Sequence, residues 1–86
     1  MEYTQEMKNR LKRLEGQVRG VIRMMEEGSE CKDVVTQLTA VRSAIDKAIG
    51  YIVAKNLETC INQAYKEGKN TDEAIQEAVN LIVKSR

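Results

Sequence analysis

Two cysteines carry the chemistry this 86-residue chain can offer, Cys31 and Cys60, and histidine is absent altogether. A thiolate attacks sulfur electrophiles and ligates soft metals. Without an imidazole, a histidine base, a histidine ligand and a histidine pH switch are all ruled out. The acids show no pairing that would converge on a reacting bond, so the residues point away from an enzyme. The two cysteines are 29 residues apart. Residues 29–66 read as one helix, and a rise of ~1.5 Å per residue then separates the thiols by roughly 43 Å. A disulfide needs Cα atoms only about 4.4–6.8 Å apart, so chemistry shared by these thiols is chemistry between chains. Two copies of the helix, antiparallel about a two-fold axis near Ile45 and Asp46, bring Cys31 of each against Cys60 of the other.

The two thiols differ in setting. Cys31 falls at the first or second position of its helix, where unpaired backbone amides and the dipole favour an anion; Lys32 adds positive charge and Glu30 opposes it. It is the expected nucleophile. Cys60 lies in a helix interior beside Leu57 and Ile61 and is the expected resolving partner. Each also lies on an apolar stripe, which leaves open the plainer reading of a small buried hydrophobe.

Three helices must position these groups. Met7, Leu11, Leu14, Val18, Ile22 and Met25 follow a three-and-four spacing that predicts one apolar face, with Thr4 to cap the start and Gly28 to stop the end. After Gly28 and a capping Ser29, the long helix carries Cys31, Val34, Leu38, Val41, Ile45, Ala48 and Ile52 as a narrow coiled-coil-like seam. Past Gly50 the seam shifts to Ile49, Val53, Leu57, Cys60 and Ala64, a change of packing partner at which glycine permits close approach. Lys66–Asn70 reads as a turn, with Asn70 and Glu73 in the form of a capping box. A short helix over 71–84 presents Ala74, Ala78, Ile75, Val79, Leu81 and Ile82 for packing.

Length and composition bound the rest. A chain of this size buries a modest fraction of its surface, so self-association is expected, and residues 1–86 read as a single domain. Tyr3, Tyr51 and Tyr65 are the only aromatic residues, too few for the stacking platforms of single-strand nucleic-acid binders. Met1 is followed by Glu2 and a charged segment, with no apolar run that predicts a signal peptide or a membrane span; a cytoplasmic location, where thiols stay reduced, is expected. The net charge of +1 is uninformative as a sum, but between Lys8 and Arg23 six basic residues face one acid, Glu15. That cluster is either a solvated helix face or a phosphate-binding surface.

The segment Arg10–Gly20 (RLKRLEGQVRG), the Met24–Gly28 run, Cys31 eleven residues after Gly20, and Asn56–Cys60 (NLETC) together resemble the copper-sensing operon repressor (CsoR) family of bacterial transcriptional repressors. The resemblance implies an all-α fold: a three-helix protomer, an antiparallel four-helix-bundle dimer, and a dimer-of-dimers homotetramer that binds double-stranded operator DNA without a helix-turn-helix. It also implies that the cysteine opening helix 2 faces a His-x-x-x-Cys pair of the other protomer. Here the histidine position is Asn56, the tyrosine before the first cysteine is Glu30, and the third-helix glutamate of the copper network is Gln76. A site of two cysteines without histidine is similar to the persulfide-sensing branch of the family, the copper-sensor-like sulfurtransferase repressors (CstR), which control genes of sulfide detoxification.

On that resemblance the reduced protein is expected to hold operator DNA through Arg10, with Lys12, Arg13, Arg19, Arg42 and Lys47 as further contacts, and to need no cofactor and no metal. Low-molecular-weight persulfides are the expected signal, acting through Cys31 and Cys60; no membrane partner is expected. The alternatives are a Cu(I) sensor built on the two thiolates, and a helical scaffold with no DNA role.

Overall fold

The computed structural model describes residues 2–85, among which there are three α-helices and no strand: α1 (Gln5–Glu26), α2 (Cys31–Lys66) and α3 (Asp72–Lys84). Local chemistry sets most of their ends. The Thr4 hydroxyl accepts a hydrogen bond from the Met7 N–H at 3.2 Å, satisfying one of the orphan amides that open α1. Gly28 (φ 77°) and Gly68 (φ 68°) take the left-handed conformation that costs a side chain strain. Each lets the next residue reach back: Ser29 N–H donates to the Met24 carbonyl at 2.9 Å, and Lys69 N–H to that of Ala64 at 2.8 Å.

Two predicted caps form differently. The Glu30 carbonyl, rather than a serine cap at Ser29, receives the first amides of α2, from Asp33 at 3.0 Å and Val34 at 3.1 Å. The capping box of Asn70 and Glu73 does not form. Asn70 Oδ1 instead accepts from the Asp72 N–H at 3.0 Å, closing the turn two residues on, and Thr71 takes the N-cap position without a side-chain bond.

The chain divides into two compact units, Glu2–Ala48 and one beginning at Ile49, and α2 contributes to both. In the first unit, Leu14 and Val21 of α1 and Val41 and Ala48 of α2 form a buried cluster, with Val34 and Ala44 packed against it. Met7, Leu14 and Val21 recur every seven residues, as do Val34, Val41 and Ala48, which is the spacing of a two-helix seam. The predicted α1 face was too broad. Met7 and Leu14 are buried, but Leu11, Val18, Ile22 and Met25 are between 42% and 55% exposed, and Val21, outside the predicted set, is buried. One neighbouring helix covers only a narrow strip of α1.

The α2 seam splits in the same way, leaving Cys31, Leu38 and Ile45 exposed, again at seven-residue steps. At about 100° per residue, the exposed strips of the antiparallel α1 and α2 fall on the same side of the pair. The unit therefore presents one uncovered apolar face, with Cys31 on it.

In the second unit Val53 and Ala78 are buried, and Ile49, Leu57, Cys60, Ala64 and Ala74 are half-buried, so the seam does shift at Gly50 as its pattern predicts. The close approach expected at Gly50 is not made within this chain: a Cβ there would meet nothing within 4 Å. On α3 the two alanines pack inward, while Ile75, Val79, Leu81 and Ile82 remain more than two-fifths exposed.

Candidate thiol site and basic hollow

Both cysteines are free. Cys31 is the first residue of α2 and is exposed in the single chain. It begins the row that continues through Leu38 and Ile45 along the uncovered face. Cys60 is half-buried, and its Sγ lies 4.0 Å from Asn56 Oδ1, one turn earlier on α2. Beyond it opens a cleft of about 700 Å³, walled by the last turns of α2, the following turn and α3. Glu67, Glu73, Glu77, Lys69 and Lys84 supply its charges. Two of these are engaged with each other, Lys69 Nζ lying 3.2 Å from Glu67 Oε2. Gln63 Nε2 also donates to Glu67 Oε1 at 3.4 Å, and Gln76 Nε2 to Asn80 Oδ1 at 3.1 Å.

The basic residues predicted to meet DNA divide into three groups. Arg10, Arg13 and Lys47 line one hollow of about 140 Å³ in the first unit, with Gln17 beside them and Leu14 and Ala44 at its base. Sequence reasoning passed over Gln17, although it stands four residues after Arg13 and seven after Arg10, the helical spacing that shares a face. Helical phase places this hollow on the side of the α1/α2 pair opposite the uncovered apolar strips. Lys12 and Arg19 lie on the other flank of α1, where Arg19 Nη2 meets Glu15 Oε1 at 3.9 Å in an exposed pair that contributes little to stability. Arg42 falls on the flank of Leu38 and Ile45, away from Lys47.

Soft ions accept thiolates alone, whereas a carboxamide such as that of Asn56 is a poor soft-metal ligand. With no histidine in the chain, its residues do not fit a centre that requires imidazole. Among the described residues, no group of three or more His, Cys, Asp or Glu side chains of one chain is placed to hold a metal ion.

The all-helical chain thus carries two free thiols and a basic hollow. Residues 3–84 match the family model described as metal-sensitive transcriptional repressor, and the chain belongs to that family. Its members are repressors rather than enzymes, which also sets aside the scaffold alternative. An uncharacterized Bacillus subtilis protein, YrkD, is 52% identical over 63 residues, spanning 73% of this chain and 100% of that one. The copper-sensing transcriptional repressor RicR of Mycobacterium tuberculosis is 45% identical over 69 residues, 77% of this chain and 72% of RicR. Among solved structures, the nickel-responsive transcriptional regulator InrS superposes with a TM-score of 0.79 at 35% identity, covering 96% of this chain and 92% of InrS. No helix among the described residues is long and apolar enough to cross a membrane.

Proposed function

We propose that this repressor is a thiol switch that holds operator DNA when reduced and releases it when persulfides link Cys31 of one protomer to Cys60 of another. The observation that carries this reading is the place of Cys31 on the uncovered apolar face of the first unit. Six large apolar side chains there, Leu11, Val18, Ile22, Met25, Leu38 and Ile45, remain about half exposed, and each contributes roughly 1 kcal/mol when covered. A second copy laid antiparallel along α2 covers them and brings the two kinds of thiol together. A dimer of such dimers is the assembly the family resemblance implies.

The chemistry balances without a further oxidant. The Cys31 thiolate attacks the sulfane sulfur of a persulfide R–S–SH, forming Cys31–S–SH and releasing R–S⁻. The Cys60 thiolate of the other protomer then attacks the sulfur bonded to the Cys31 side chain, giving a disulfide and expelling HS⁻. The covalent tie favours one packing of the bundle over another, and DNA affinity follows whichever packing matches the operator. The basic hollow of Arg10, Arg13 and Lys47, on the side away from the covered face, supplies the phosphate contacts. Genes of sulfide handling are the targets this signal would serve.

A second reading, in which the two thiolates bind Cu(I), is favoured by the likeness to copper-sensing RicR. One experiment separates the two: a gel shift on DNA upstream of the gene, with reduced protein, persulfide-treated protein and Cu(I)-loaded protein. Release by persulfide and not by copper is the expected result. Release by copper alone overturns the persulfide reading in favour of the metal.

A further inference from the structure

The cleft beside Cys60 is far larger than a thiol needs in order to react. It is an open surface groove of about 700 Å³, a volume within the range of small-molecule sites, and its charged lining favours one class of occupant. Glu67 and Lys69 neutralise one another near the turn at 3.2 Å. Among the described residues, no ion pair engages Glu73, Glu77 or Lys84, so two carboxylates and one ammonium face the cleft with their charge unspent. Ala64, Ala74 and Leu81 give it a short apolar wall. A ligand with an amino group for the carboxylates, a carboxylate for Lys84, and a few carbon atoms between them fits this lining. An inorganic polysulfide dianion does not, since the cleft carries three carboxylates against two ammonium groups.

We propose that the cleft seats the organic end of a zwitterionic amino-acid or short-peptide persulfide and delivers its sulfane sulfur to Cys60, which makes Cys60 a second sulfur acceptor as well as a resolving thiol. The inference rests on the reading of Cys31 and Cys60 as a persulfide-reactive pair. The Cys60 thiolate attacks the outer sulfur of R–S–SH, the S–S bond breaks, and R–S⁻ leaves as Cys60–S–SH forms. When Cys31 has been loaded in the same way, its persulfide anion attacks the sulfur bonded to the Cys60 side chain. The products are a trisulfide between chains and HS⁻, so the bridge gains one sulfur over a simple disulfide. Cys31, exposed at the start of α2, lines no such groove in its own chain.

The test uses the full chain carrying Cys31→Ser, so that Cys60 is the sole thiol. Intact-mass kinetics compare cysteine persulfide with inorganic tetrasulfide at equal sulfane sulfur. Cysteine persulfide should react the faster, and Glu73→Lys with Glu77→Lys should reduce that preference about fivefold, the size of one exposed ion-pair interaction. Because the readout is a ratio of donors within one variant, a general loss of stability does not imitate it. Modification of Cys60 with no donor preference, or with a preference the cleft changes leave intact, overturns the cleft assignment alone. Failure of every persulfide to modify either thiol overturns the switch itself.

Discussion

Asn56 stands one helical turn before Cys60, with its Oδ1 4.0 Å from the Cys60 Sγ. A thiol at that distance has a neutral carboxamide for a neighbour, where the family resemblance places an imidazole. The substitution removes a good soft-metal ligand while leaving both thiols in place, which on the proposed thiol switch disfavours Cu(I) as the signal. Asn56→His should raise Cu(I) affinity about tenfold or more, on the scale by which ligand-sphere changes act. Competition against a chromophoric Cu(I) chelator measures it. Equal affinity in the two proteins would mean that position 56 does not reach the thiol pair.

The grouping of the basic residues makes a separate forecast about salt. Arg13 shares the hollow with Arg10 and Lys47, whereas Arg19 is turned to the other flank and paired with Glu15. Arg13→Ala should weaken operator binding and lower the slope of log K against log salt by about one. Arg19→Ala should leave the slope nearly unchanged. Fluorescence anisotropy with labelled operator across a salt series distinguishes the two, and charge reversal at Arg10 without loss of affinity would remove that residue from the contact set.

Helix number and the two glycine stops were legible in the sequence, because periodicity and left-handed glycine act locally. What the sequence did not resolve was which apolar strip faces which partner. Leu14 and Val18 sit one turn apart on α1, yet one is 8% exposed and the other 42%, since that choice is made by the neighbouring helix and not by α1. The thiols were legible as a pair that cannot meet within one rod. The cleft at Cys60 was not legible, because α2, the following turn and α3 all wall it and its charges are spread from Glu67 to Lys84.

The uncovered strip predicts an assembly defect that spares the fold. Ile45 is 43% exposed, so a polar replacement costs the single chain little, but a charge at a two-fold contact is buried twice over. Ile45→Glu should shift the protein to monomer in sedimentation velocity while the helical circular dichroism is kept. Val41, which is 6% exposed in the same helix, supplies the contrast: Val41→Glu should unfold the chain.

Gly50 has open space around it in its own chain, and glycine inside a helix costs about 1 kcal/mol relative to alanine. Gly50→Ala should therefore stabilise the protein by about that amount, raising Tm by about 4–8 °C in a chain of this size. Differential scanning calorimetry reads the shift. A fall in Tm would place a second chain against Gly50.

The interchain pairing of unlike thiols is tested most directly by complementation. A Cys31→Ser chain keeps only Cys60 and a Cys60→Ser chain keeps only Cys31, so in an antiparallel dimer neither variant alone sets reactive thiols face to face. Each should stay monomeric on non-reducing denaturing gels after persulfide treatment. When the two are mixed and allowed to exchange, about half of the dimers contain one of each and retain a single Cys31–Cys60 contact. Covalent dimer should then appear in the mixture and vanish on reduction. Its absence, with exchange confirmed by mass, would mean that the partner helix lies in another register; its presence in either variant alone would mean that like thiols meet, which a head-to-tail pair of α2 helices forbids.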